Sequence, residues 1–277
     1  MSSTETTVTR RPRLVATDLD GTFLSPDGSV SDHNRAAVQA AQKAGTYVVF
    51  VTGRPVRWLD VIQDLPGAHP TVIASNGAVL YDLGAGQVLD RICLEVASAL
   101  EAVDRIRKVV PDVSFAFESG TRFGYEPSYA TWAPDAGEDP AIFSGSVEEI
   151  SRGEEFVKLL VQSKSVLADE LLGRVRATLG ETATATHSAT GDYGLVEVSA
   201  PGVNKGAMLA RVCGRLGVDA RDVAAFGDMP NDVDMLTWAG RPHIMANAHP
   251  YLHALGFPTV PSNTESGVGR TISRWLS

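Results

Sequence analysis

Apolar and polar positions along this 277-residue chain follow two rhythms. In the first, short apolar runs at Leu14–Ala16, Thr46–Val51, Thr71–Ala74 and, far downstream, Val223–Phe226 alternate with stretches of helical spacing. Ser31 can cap a helix from about Asp32 to Ala44, and Gly45 supplies its stop. Pro55 suits the first turn of a second helix that runs to Leu65, before Pro66 and Gly67. Met208, Leu209, Val212 and Leu216 form one stripe on a helix that opens at Lys205 and ends at Gly217, and a last helix is expected near Gly269–Leu276. Strands alternating with helices through short loops predict an α/β fold with a doubly wound, parallel, Rossmann-like sheet, which binds ligands outside the carboxyl ends of its strands.

The second rhythm begins at Gly84. A helix around Glu95–Lys108 precedes two short strands near Val113–Phe117 and Phe123–Glu126, and a polar segment follows from Ala133 to Gly145. Next come a strand at Phe156–Gln162, a helix at Leu167–Leu179 and a hairpin through His187–Val198, an order typical of α+β structure. This pattern predicts an inserted α+β cap over 84–199 between core segments 13–83 and 200–277. Residues 1–12, polar and without periodicity, read as a disordered tail.

Composition narrows the function. A hydrophobic content of 44% is enough for two cores, and a net charge of −9 argues against nucleic acid or an anionic membrane as partner. No apolar run approaches the ~20 residues of a membrane span, and no signal-like segment follows the basic residues near the N-terminus, so a cytoplasmic location is expected. Cys93 and Cys213, too few for a disulfide framework, read as buried free thiols.

The apolar runs end in chemistry. The stretch LVATDLDGTFL from Leu14 to Leu24 stops at Asp18 and Asp20, two apart and so on one face of an extended strand, with Gly21 letting the chain turn away. Such a pair can hold a divalent cation and divide nucleophile from acid/base work, although Asp-x-Asp-Gly also occurs in ordinary acidic turns. Three companions repeat the design: VTGR at Val51–Arg54, NKG at Asn204–Gly206 and FGDMPND at Phe226–Asp232. Singly, each has a plainer reading: a common tripeptide, an exposed lysine at a helix start, and a capped helix start.

In this combination and order the four segments resemble the haloacid dehalogenase superfamily of aspartate-nucleophile phosphohydrolases, and within it the Cof-type members with a subclass IIB cap. MANA at 245–248 and SNTESGV at 262–268 also look like Cof-type text, so the resemblance spans nearly all of the core. It implies a Mg²⁺-dependent phosphatase of small phosphorylated metabolites, sugar phosphates among them. By resemblance Asp18 is the nucleophile that forms an aspartyl-phosphate, and Asp20 the acid that protonates the departing alcohol and then activates water. Asp18, the backbone carbonyl of Asp20 and Asp228 would hold Mg²⁺, with Asp232 and Asn231 behind them. Thr52 and the N–H of Gly53 would bind phosphoryl oxygens, and Lys205 would stabilise charge between nucleophile and phosphoryl group.

Arg54 and Asn76 border the same sheet edge as candidate substrate contacts. In the cap, FESGTRFGYEPSYATW from Phe117 to Trp132 mixes aromatic residues with Glu118, Arg122 and Glu126, either as strand core and loop or as a surface for a sugar or heteroaromatic leaving group. His243, His249 and His253 fall where strand, Pro250 and helix intervene, so they read as surface or loop residues, not a zinc site. A monomer or homodimer is expected. Two rivals remain: a phosphomutase of the same superfamily, which would return the phosphoryl group to a sugar, and a noncatalytic signalling domain phosphorylated on aspartate, which would not turn over.

Overall fold

The computed structural model describes residues 11–129, 139–153 and 155–277. Most of the expected tail, the first half of the polar segment 133–145, and Trp132 lie outside the described residues. The chain opens with β1 (Leu14–Thr17), α1 (Asp32–Lys43), β2 (Tyr47–Phe50) and a short α2 (Asp60–Gln63), then β3 (Thr71–Ala74), β4 (Val79–Asp82) and β5 (Gln87–Arg91). A second unit follows with α3 (Val96–Val109), β6 (Ser114–Glu118), β7 (Phe123–Tyr125), β8 (Ile142–Ser144), α4 (Val147–Ile150), β9 (Lys158–Ser163), α5 (Ala168–Leu179), β10 (Thr184–Thr186) and β11 (Gly194–Ser199). The chain then returns through α6 (Lys205–Leu216), β12 (Val223–Gly227), α7 (Val233–Trp238), β13 (Arg241–Met245), α8 (Pro250–Ala254), β14 (Thr259–Val260) and α9 (Gly267–Leu276).

The core sheet is all parallel in the order β14-β13-β12-β1-β2. Its strands are short and apolar because both faces are covered. Val15, Val48 and Phe226 pack against α1 and α9 on one side, and Leu14, Val49 and Ala225 pack against α6 and α7 on the other. Ser31 caps α1 by accepting the N–H of Asn34, and Gly217 ends α6 in the left-handed region.

Two expectations needed correction. The helix from Pro55 to Leu65 is broken at Leu59. A single turn over Val56–Trp58 carries Arg57 and Trp58 into the cleft, while α2 carries Ile62 into the core. The run Thr71–Ala74 joins the parallel sheet through one bridge, Val51 to Ile73, and from there leads an antiparallel sheet β3-β4-β5. The sheet that continues from the core therefore runs past residue 84, with β4 paired to β3 and β5 paired to β4.

The second unit is a six-stranded sheet in the order β10-β11-β9-β6-β7-β8, antiparallel except for β7 with β8. Strand alternation divides its faces. Phe115, Phe117, Leu159, Val161, Val196 and Val198 meet α3 and α5 in one apolar core. The alternate positions Glu118, Lys158, Leu160, Leu195 and Glu197 turn towards the carboxyl edge of the core sheet and line the cleft between the two units.

Candidate active site

Parallel register sets the site. Thr17 lies opposite Phe226 and opposite Phe50, so the residues that follow all three strands emerge on one rim. The Asp18 N–H donates to the carbonyl of Phe226 at 3.0 Å, which continues the ladder by one step and fixes the carboxylate. Beyond it the chain turns sharply through Leu19–Phe23. Gly21 has φ of 72°, and a Cβ there would collide with the carboxylate of Asp228.

Lys205, fully buried at the first position of α6, donates to Asp18 Oδ1 at 2.6 Å and to Asp232 Oδ1 at 2.6 Å. Asn204 positions it by capping the helix, accepting the N–H of Ala207 at 2.7 Å. The second oxygen of Asp232 accepts the N–H groups of Asp228 and Met229, each at 3.0 Å. Asp232 is therefore engaged on both sides and acts as a brace for Lys205 and the 228–229 loop. Thr22 Oγ1 donates to Asp228 Oδ1 at 2.6 Å.

Donor oxygens of Asp18, Asp228 and Asp232 lie within 4.8 Å of one another. Burial pushes Asp18 well above the usual carboxylate range; Lys205 opposes this, and the charges of Asp232 and Asp228 add to it. Asp228 is likewise pushed up to about 7, by burial first and by Asp232 next. Burial works against the charge of Lys205, but Asp18 and Asp232 outweigh it and hold the ammonium above the ordinary lysine range.

Asp20 projects outward, 54% exposed, and is held by a fork: Arg54 Nε donates to its Oδ2 at 2.7 Å and Arg54 Nη2 to its Oδ1 at 2.6 Å. Thr52 is buried, and its hydroxyl oxygen accepts the N–H of Arg54 at 3.1 Å. Asn76 follows β3 in the left-handed region at φ 56°, between Ser75 and Gly77, which also have positive φ. From there its Oδ1 accepts a hydrogen bond from Asn231 Nδ2 at 3.0 Å. Asn231 lines the cleft, and its Oδ1 is buried without a partner among the described residues.

Arg122 does not join this group. It is exposed in the turn before β7, its guanidinium 4.7 Å from the centre of the Phe143 ring, and its neighbour Phe123 lines the cleft in its place. Alternation along β7 explains the exchange.

Sequence reasoning passed over two charged cap residues, Lys158 and Glu197. Lys158 Nζ donates across the cleft to the carbonyl of Gly53 at 2.9 Å and pairs with Glu197. Glu197 also accepts from Asn76 Nδ2 at 3.1 Å. Burial pushes Glu197 up, but Lys158 and the hydrogen bonds from Lys158, Ser188 and Asn76 outweigh it and leave the carboxyl below its ordinary range. Glu118, noted only as part of an aromatic stretch, is buried against Arg57. The signal was present: Lys158 and Glu197 are lone charges inside apolar strands, where an unpaired charge is costly and a paired one marks a purpose.

Of the three histidines, His243 departs from the expected surface or loop position. His243 is stacked on Phe226 at 5.1 Å and near Trp275 at 5.6 Å. His249 and the buried cap residue His187 both turn Nε2 towards Asp169, at 3.4 and 2.8 Å. His249 Nδ1 caps α8 by accepting the N–H of Tyr251, its Nε2 faces Asp169, and the trio brings cap and core together. His253 is exposed. Cys213 is a buried free thiol pushed up to about 12 by that burial, and Cys93 is half-buried. No helix among the described residues is long and apolar enough to cross a membrane.

A parallel α/β core with buried carboxylates and one lysine at its carboxyl rim, roofed by an α+β cap, is the architecture of a capped phosphohydrolase. The chain belongs to the haloacid dehalogenase-like hydrolase family, whose model matches residues 15–272. It is similar to the 5-amino-6-(5-phospho-D-ribitylamino)uracil phosphatase YcsE of Bacillus subtilis, with 26% identity over 265 residues, 95% of this chain and 96% of that protein. It is also similar to the HMP-PP phosphatase of Cronobacter sakazakii, with 27% identity over 276 residues, 95% of this chain and 96% of that one. Its fold is shared with a haloacid dehalogenase-like hydrolase from B. subtilis, with a TM-score of 0.78, 24% identity, and coverage of 94% and 99%. The subclass IIB sugar phosphatase BT4131 shares it too, with a TM-score of 0.77, 19% identity, and coverage of 95% and 98%. These matches take in cap as well as core, and within this family the enzyme is a phosphatase.

Proposed function

We propose that the enzyme hydrolyses phosphate monoesters of small metabolites, with Mg²⁺ as cofactor, through an aspartyl-phosphate on Asp18. The observation that carries this reading is the charge at the rim. Asp18, Asp228 and Asp232, all buried, face one ammonium, Lys205, and this surplus of carboxylates over cations is what a divalent cation would balance. The donor set fits Mg²⁺, a hard cation that takes a few oxygens. Asp18, Asp228 and the carbonyl of Asp20 would hold it, since Asp232 is already committed to Lys205 and two N–H groups. When bound, the cation supplies Lewis-acid neutralisation of phosphoryl oxygens.

The protein groups have separate tasks. Asp18 attacks phosphorus, and Lys205, on Asp18 Oδ1, holds the attacking carboxylate in line. Thr52 and the N–H of Gly53 are the donors for equatorial oxygens, with the Gly53 peptide braced by Lys158 through its carbonyl. Asp20 protonates the leaving oxygen and then takes a proton from the water that opens the aspartyl-phosphate. Both of its oxygens are held by Arg54, so the arriving phosphate must draw that guanidinium off Asp20 before Asp20 serves as acid. The second unit, from α3 to β11, acts as the cap that supplies most of the wall opposite the phosphate site.

The test is phosphate release from a panel of phosphorylated metabolites, sugar phosphates included, with and without Mg²⁺. Release of free phosphate over many turnovers only with Mg²⁺ is expected. Isomerised sugar phosphate without free phosphate would replace this reading with a phosphomutase, and a single stoichiometric phosphorylation would replace it with a signalling domain.

A further inference from the structure

Three cationic side chains line the cavity of about 770 Å³ above Asp18, and each already faces a carboxylate of the protein: Arg54 with Asp20, Arg57 with Glu118, and Lys158 with Glu197. The two distal pairs are built in. Glu118 and Glu197 are buried, and each accepts a further hydrogen bond, from the N–H of Gly120 at 2.8 Å and from Asn76 Nδ2 at 3.1 Å. The Arg57 guanidinium is held between the rings of Trp58 and Phe123, 5.1 and 5.6 Å from their centres. Apart from Ser188, which hydrogen-bonds Glu197, the rest of the described distal wall is mostly apolar or aromatic, with Trp58, Phe123, Tyr129, Leu160, Tyr193 and Leu195.

Resting on the phosphatase reading, we infer that the distal cavity selects an uncharged, ring-bearing leaving group and rejects a second anionic group, with Glu118 and Glu197 as the specificity-determining residues that neutralise Arg57 and Lys158. Arg54, beside Asp18, remains for the phosphoryl group itself. A second phosphate or carboxylate entering the distal half would shed its water and meet Glu118 and Glu197 together with their partners, so it would find no net attraction to offset the desolvation. A flat uncharged ring loses little on leaving water and can lie against Trp58, Phe123 or Tyr129.

The experiment compares kcat/KM, read as phosphate release with Mg²⁺, for 4-carbamoylbenzyl phosphate, its near-isosteric anion 4-carboxybenzyl phosphate, and ringless butyl phosphate. The carbamoyl compound should exceed both others, and the carboxylate by about 10-fold or more. Glu118→Gln keeps an acceptor for Gly120 and leaves Arg57 unpaired, so the carboxy-to-carbamoyl ratio should rise about fivefold or more. Should that variant fail to fold by thermal melt, Glu197→Gln, which releases Lys158, is read by the same ratio. A wild-type enzyme that turns over the carboxylate as well as the amide, or a folded variant with an unchanged ratio, would overturn the inference. No release from any of the three would instead overturn the phosphatase reading beneath it.

Discussion

Lys205 and His243 show two ways in which a titratable group is buried in this chain. Lys205 is placed between two carboxylates, so its charge is kept and put to use against Asp18. His243 has neither ring nitrogen hydrogen-bonded among the described residues, and burial, with Arg241 adding to it, lowers it to about 4. It serves as a neutral plate between Phe226 and Trp275. Because its folded value lies below the unfolded one near 6.5, the unfolded chain takes up the proton first. The stability this neutral ring contributes is therefore complete above about pH 6.5 and is lost as pH falls towards 4. His243→Phe, which keeps the stack, should be at least as stable at pH 7 and should remove a loss on the order of 1–3 kcal/mol between pH 6.5 and 4. Urea midpoints of both proteins across that range are the check, and parallel pH profiles would refute it.

At the scale of elements, the turn Ser75–Asn76–Gly77 couples β3 to α6. Its three residues all have positive φ, and a Cβ on Gly77, at φ 96°, would collide with the backbone carbonyl of Asn204, the cap of the helix that begins with Lys205. Gly77→Ala should therefore cost about 1–3 kcal/mol in backbone strain alone and also slow turnover by shifting Lys205. Denaturant melts together with kcat would show both losses, and a variant with wild-type kcat would contradict the coupling. This coupling was hidden in the sequence, where SNG reads as an ordinary turn. Elements whose burial depends on their own periodicity were legible, such as α1 with its Ser31 cap and α6 with its Gly217 stop. The break at Leu59 and the switch of β3 to an antiparallel hairpin were not, because cap residues and β4 decide them, and neither leaves a mark on local spacing.

For the whole molecule, the cleft joins two units with separate cores, and polar ties hold it together. Lys158 to Gly53 and Glu197 to Asn76 cross it beside the rim, and the more exposed contact of His249 with Asp169 joins the units at a second place. Lys158→Met strands Glu197 as a buried charge and should lower stability by about 3–5 kcal/mol, whereas adding Glu197→Gln should recover much of that loss. Additive losses in the double-mutant cycle would show that the two do not form a unit. The core residues of the rim could be named from sequence because strand ends announce them; the cap's contribution could not, because closure brings Lys158 and Glu197 to Gly53 and Asn76 from more than a hundred residues away in sequence. The proposed chemistry rests on Asp18 as the group that attacks phosphorus. The most direct measurement is Mg²⁺-dependent phosphate release from an aryl phosphate by Asp18→Asn, which preserves the size and position of the side chain. The account predicts a fall in kcat of about 10³-fold or more with the fold intact, and turnover near that of the wild type would contradict it.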